Sequence, residues 1–277
     1  MDHIVIMTAY KDVELINRFV EKMPKNNWRV YIHLDKKSQI DIEQIDKRAK
    51  VYKLYNIKWG SINHLYSIVE LLRIARKTAK KDSYFHILTG QDFWLTPPEM
   101  FDKFIVDGDL YVNIVSNPNW YHGGKDIWKY NTLVNLLDLR KPVWRKLNRG
   151  YMFLQDLFGV SKPLPDYPIY GGSVYCSITF DAVEYILTSS IANEMLRTLK
   201  NSAIGEEIFF QTVLMNSPYR TKINPNNLRY SDWSVKNAPK NLSLEDFDKI
   251  KSSKCLFCRK LSSNSTLLDK LPLKETR

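Results

Sequence analysis

The feature that most narrows the fold is an alternation between residues 4 and 88 of short apolar runs with stretches whose apolar residues recur at the helical period. Ile4 to Thr8 reads as a strand, and Val13 to Met23 as a helix with Val13, Ile16, Val20 and Met23 on one face. Val30 to Leu34 is a second strand running straight into Asp35-Lys-Lys-Ser38. Ile62, Leu65, Val69, Leu72 and Ala75 mark a helix over about 61–79, and Tyr84 to Leu88 a third strand. Such alternation specifies a layered α/β fold. Ligands of these sheets bind beyond the carboxyl ends of the strands, which singles out Tyr10, Lys11, Asp35, Lys36 and the loop Thr89-Gly-Gln-Asp92.

Downstream, Leu110 to Val115 reads as a strand, and 117–168 as an insertion rich in Trp, Tyr, Pro and basic residues. Gly171 to Ile178 is a Gly-led strand, followed by helices near 181–188 and 191–200. A further helix starts near Ile204 and carries Glu206-Glu207 in its first turn. The polar Lys- and Ser-rich segment 262–277 is expected to be a mobile tail. The rest, 1–261, is expected to form one domain, with a nucleotide-binding half to about 115 and an acceptor and catalytic half from 116.

The net charge of +11 invites a nucleic-acid reading, but basic residues are interspersed with acidic ones from Lys11 to Lys274 and nucleic acid is not expected as a partner. Three uses remain: solvated faces, attraction to an anionic membrane surface, and a local diphosphate site. No apolar run reaches the length of a membrane span, and three cysteines suit a reducing compartment, so the expected location is the cytoplasm or the inner face of its membrane. Cys255-Leu-Phe-Cys258 has the spacing of half a zinc site and lacks a second pair. His33 reads as structural, and the five histidines show no metal spacing.

Several segments together resemble the core-2 and I-branching N-acetylglucosaminyltransferases and peptide O-xylosyltransferases. They are Ile4-Val-Ile-Met-Thr-Ala-Tyr-Lys11, Ile32-His-Leu-Asp-Lys-Lys-Ser38, Trp59-Gly-Ser61, Leu88-Thr-Gly-Gln-Asp-Phe93, Gly172-Ser-Val-Tyr175, Gly205-Glu-Glu-Ile-Phe209 and Leu256-Phe-Cys-Arg-Lys-Leu261. Their order carries the likeness more than any one of them. The resemblance implies a single-domain GT-A-like fold with a Rossmann-like half, a UDP-sugar donor, a glycan or glycolipid acceptor, inversion at the anomeric carbon, and no cofactor or metal. Tyr10 stands where the family usually has a His, and Tyr175 where a Trp is usual.

Inverting transfer needs one carboxylate to take the acceptor's proton and something positive to meet the departing diphosphate. The resemblance assigns the first role to Glu207, with Glu206 before it on the acceptor side; two glutamates in a first turn also simply complement a helix dipole. The second role falls to Lys260 and Arg259, joined by Lys236 or Lys240. Asp35, Trp59, Tyr10 and Ser173 match donor-side positions, and Trp233 and Asp92 acceptor-side ones. Trp120, Tyr121, Trp128 and Tyr130 are further aromatic candidates without a firm correspondence. Asp107-Gly-Asp109 carries the metal-dependent alternative, and also reads as a turn between a helix and a strand. Loss of catalysis on the same scaffold, leaving a carbohydrate-binding protein, is the non-enzymatic alternative.

Overall fold

In the computed structural model the described residues are 1–116, 127–160, 162–163, 165–235 and 238–273. Twelve strands are β1 (His3–Ala9), β2 (Trp28–Leu34), β3 (Ala49–Tyr52), β4 (Tyr84–Thr89), β5 (Asp92–Trp94), β6 (Leu110–Val112), β7 (Val115–Ser116), β8 (Tyr170–Gly171), β9 (Cys176–Thr179), β10 (Ile223–Asn224), β11 (Arg229–Ser231) and β12 (Phe257–Arg259). Seven helices are α1 (Val13–Glu21), α2 (Ile62–Arg76), α3 (Pro142–Leu157), α4 (Phe180–Thr188), α5 (Ser190–Leu199), α6 (Glu206–Met215) and α7 (Phe247–Ser252).

The main sheet has the order β10-β6-β9-β4-β1-β2-β3. β3, β2, β1 and β4 are parallel, whereas β9 runs antiparallel to both β4 and β6, making the sheet mixed. β1 is buried on both faces and splits its side chains by the period of two. Val5, Met7 and Ala9 join α1 and the β5–β12 layer, while Ile4 and Ile6 join α2, α4, α5 and α6. A second sheet, β11-β12-β5, covers the α1 side and sets Arg259 opposite Asp92.

Three expectations change. The strand expected over 110–115 breaks after Val112, and the Gly-led run splits into β8 and β9, because β7 and β8 form a separate ladder. Gly172 passes so close to Asn113 that a Cβ would lie 2.0 Å from its carbonyl oxygen, and the Asn113 side chain accepts from Ser173 N–H. The two sequence halves also share one sheet, since β9 and β10 of the second pair among strands of the first. The tail expected to be mobile is packed as far as Leu273: Leu267, Leu268, Leu271 and Leu273 enter the α1-side core, and Leu273 N–H bonds to Leu95 O at 2.9 Å. Apolar burial of four leucines there outweighs the polar average of the segment.

Candidate active site

The site is built at the carboxyl edge of β1, β2 and β4, where the first turns of α2 and α6 meet. Thr8 points to the α2 side, and its Oγ1 lies 3.1 Å from His64 Nε2. His64 Nδ1 lies 2.9 Å from Glu206 Oε1. A neutral imidazole satisfies both contacts if Nδ1–H donates to the carboxylate and Nε2 accepts the threonine hydroxyl. Glu206 is buried, and its Oε2 has no hydrogen-bond partner among the described residues.

Glu207, the next residue, is partly buried beside that carboxylate. Burial first, and the Glu206 charge second, push its carboxyl up to about 8, while the Arg259 guanidinium pulls the other way. Its main chain is fixed from both sides: Glu207 N–H bonds to Ile204 O at 3.2 Å, and Glu207 O accepts from Gly172 N–H at 2.9 Å. Gln211, one turn on, donates to Ser173 O at 2.7 Å, tying Ser173 to the same helix. A carboxyl that titrates near neutrality has the acidity a proton acceptor needs at that pH.

Arg259 does not reach outward as expected for a diphosphate contact. It is buried, with Nε 2.9 Å from Asp92 Oδ1 and its guanidinium carbon 3.9 Å from the centre of the Tyr175 ring. Burial opposes its charge, but Tyr175, Asp92 and Glu207 outweigh that and raise its pKa. Asp92 is likewise only 1% exposed, and Thr89 Oγ1 donates to its Oδ2 at 2.8 Å. Asp92 and Glu206 are thus both enclosed in the wall of the site, each beside a partner it positions, Arg259 and His64.

Lys260, next to Arg259, is half-buried. Burial, then Arg259 and Lys11, lower its pKa, with Asp92 opposing. Like charges gathered in this way are relieved by an anion. Lys240 is turned to Asp246, with Nζ 2.8 Å from Oδ1, and Lys236 lies outside the described residues. Tyr10 and Trp59 are exposed at the same edge. Asp35 is buried: its Oδ1 accepts from Lys37 N–H and Ile57 N–H, each at 3.2 Å, so it shapes the loop under Trp59. Trp233 is 65% exposed and follows β11, whose Ser231 pairs with Arg259, so it emerges beside Lys260. Trp128 is buried, Tyr130 bonds to Asp156, and Trp120 and Tyr121 lie outside the described residues.

Asp107 and Asp109 sit at the opposite edge of the sheet. Tyr84, the first residue of β4, donates to Asp109 O at 2.7 Å, and Gly108 turns the chain with φ at 83°. The triplet is the turn that leads into β6. Cys255 and Cys258 are buried free thiols, and His33 is structural, its Nε2 accepting from Tyr55 N–H at 2.9 Å. A cavity of about 460 Å³ bordered by Leu95, Phe104, Ile250, Cys255 and Leu273 lies past the far end of β5 from Asp92.

His64 and Thr8 were not singled out from the sequence. The available signal was positional: His64 stands in the first turn of the helix that follows Trp59-Gly-Ser61, and Thr8 at the end of the first strand.

The chain belongs to the Core-2/I-Branching enzyme family, whose model matches residues 3–251. It is similar to the protein named xylosyltransferase sqv-6 of Caenorhabditis briggsae, with 24% identity over 249 residues, 83% of this chain and 28% of that protein. The chain thus spans under a third of that relative's length. Among solved structures it is similar to mouse xyloside xylosyltransferase 1, apo form, at TM-score 0.36 and 11% identity, covering 93% of this chain and 96% of that one. The apo glycosyltransferase GlyE of Streptococcus pneumoniae TIGR4 matches at TM-score 0.39 and 8% identity, covering 96% and 56%.

Proposed function

We propose that this chain is an inverting, metal-independent glycosyltransferase of GT-A-like type. It moves a sugar from a UDP-sugar to a hydroxyl of a glycan or glycolipid. The acceptor oxygen attacks the anomeric carbon, its proton passes to the Glu207 carboxylate, and the bond from the anomeric carbon to the diphosphate oxygen breaks with its electron pair leaving on UDP. Lys260, backed by Lys11, meets the growing negative charge; Arg259 holds Asp92 and tunes Glu207 from behind. Tyr10 and Trp59 border the donor, and Trp233 offers an aromatic face to the acceptor sugar.

The observation that carries this reading is the placement of Glu207: half-buried in the first turn of α6 beside buried Glu206, main chain fixed by Ile204 O and Gly172 N–H, with burial and the Glu206 charge raising its carboxyl and the Arg259 guanidinium opposing. A first-turn glutamate serving only the helix dipole would be solvated and close to its ordinary acidity. Glu207→Gln is the test. Turnover with UDP-sugars should fall by about 10²- to 10⁴-fold, while UDP still raises the melting temperature as it does for the parent chain. Equal sugar binding with no turnover in either protein would leave a binding module instead. In the parent chain kcat/KM should rise with pH and level off above about 8. Activity should survive EDTA; loss restored by Mn²⁺ would refute metal independence.

A further inference from the structure

We propose that the outward face of α3 docks on an anionic lipid bilayer. The helix is oriented against the usual rule. Its inward residues include Asn148 and Gln155, whose side chains bond to the 131–133 backbone, with Met152 between them. Most of its other apolar residues point out: Val143, Leu147, Phe153, Leu154 and Leu157 are all exposed, and Phe158, just past its end, is 73% exposed, while Trp144 packs against the small cluster of Val134, Leu139, Ala203 and Ile204. At 100° per residue these positions and Gly150 fill a continuous arc of roughly 140°, interrupted only by Lys146. No helix among the described residues is long and apolar enough to cross a membrane, so this face would lie along a surface, not through one.

Charge decides between a bilayer and a second protein. Over residues 138–157 the sequence holds Arg140, Lys141, Arg145, Lys146 and Arg149 against two acids, Asp138, which pairs with Arg140, and Asp156. By the same periodicity Lys146 lies within the apolar arc and Arg149 borders one side of it, where long basic side chains can reach headgroup phosphates while the arc enters the acyl boundary; Arg145 is turned back to Leu139 O and Arg140 O. The chain's +11 charge adds long-range attraction to such a surface. Two such faces would repel each other, which disfavours a second copy of this chain.

The face is also tied to the site. Lys58 Nζ donates to Asn135 O and Leu136 O at 3.1 and 2.6 Å, and Asn135 Oδ1 accepts from Ile62 N–H at 3.2 Å. The segment leading into α3 is therefore fastened to the turn bearing Trp59 and to the start of α2. Docking would hold the cleft mouth near the bilayer.

Flotation of the full chain with vesicles tests this. It should float with vesicles of equal parts phosphatidylcholine and phosphatidylglycerol, and at least about tenfold less with phosphatidylcholine alone or at high salt. Phe153→Ser with Leu157→Ser should reduce binding about tenfold at unchanged melting temperature, and Lys146→Glu with Arg149→Glu should do so and weaken the salt dependence. Failure to bind anionic vesicles would overturn the proposal, as would binding indifferent to the serine pair. So would a dimer in vesicle-free buffer that the serine pair dissociates.

Discussion

α6 and α3 break the same rule in opposite directions. α6 is almost wholly buried, yet places two carboxylates in its first turn, one of them with an oxygen that has no hydrogen-bond partner among the described residues. α3 lies on the surface, yet turns polar groups inward and apolar ones to solvent. Burying charge and exposing hydrocarbon both cost stability, so a fold that does either retains the cost for something outside folding. In α6 the return is a carboxyl whose pKa is raised toward neutrality; in α3 it is a face that needs a second phase.

The largest way to break this comparison is at the charge that makes α6 tolerable. Arg259→Met removes the partner of buried Asp92 and the cation over Tyr175. Loss of one member of a buried pair costs about 3–5 kcal/mol. Urea denaturation should show that loss, and any surviving activity should need a higher pH, since Arg259 holds Glu207 down. A variant as stable as its parent would mean that the pair is solvated.

Lys260→Ala is smaller and separates binding from folding. Lys260 is partly exposed, and its own charge is opposed by burial, Arg259 and Lys11, so its removal should leave stability within about 1 kcal/mol. The donor's kcat/KM should fall about 10- to 100-fold, on the scale of one lost charged contact. A change confined to stability would take Lys260 out of the site.

Glu207→Gln sharpens the comparison through pH. The folded acid is raised to about 8 whereas the unfolded one sits near 4.3, so the native chain keeps a proton that the unfolded chain releases. Stability linked to this group is full below about pH 4.3 and is lost as pH rises toward about 8. Glutamine does not titrate. The variant's melting temperature should gain on the parent's between pH 5 and pH 8.5, by about 2 °C or more; a constant difference would show that Glu207 is solvated.

How far these features could be read without coordinates differs between the two helices. The alternating first half fixed β1, α1, β2, α2 and β4 closely, because the hydrophobic period and the fold agree there. The roles of Glu207 and Lys260 rest on resemblance alone. The burial of Arg259, Asp92 and Glu206 is not legible, because in a three-residue strand or a first helical turn nothing in the sequence tells which charged side chain is enclosed. His64 was missed because its partner lies 142 positions away. α3 was hidden for the opposite reason. Its apolar residues repeat with helical spacing, but Trp, Tyr, Pro and basic residues around it read as an irregular insertion, and periodicity alone does not say whether an apolar face looks inward.

The smallest effect is the one that tests which side of α3 bears the fold. If the exposed arc has no partner within the chain, Leu147→Gln and Leu154→Gln should each change stability by no more than about 0.5 kcal/mol, as surface substitutions do. Met152→Ala, between them on the inward side, should cost about 2 kcal/mol or more. In an ordinary amphipathic helix truncating leucines at helical spacing is what unfolds the protein, so the expected order is inverted. Chemical denaturation of the three variants measures it directly. A large loss at Leu147 or Leu154 would mean that the arc is part of the core, and the contrast with α6 would vanish.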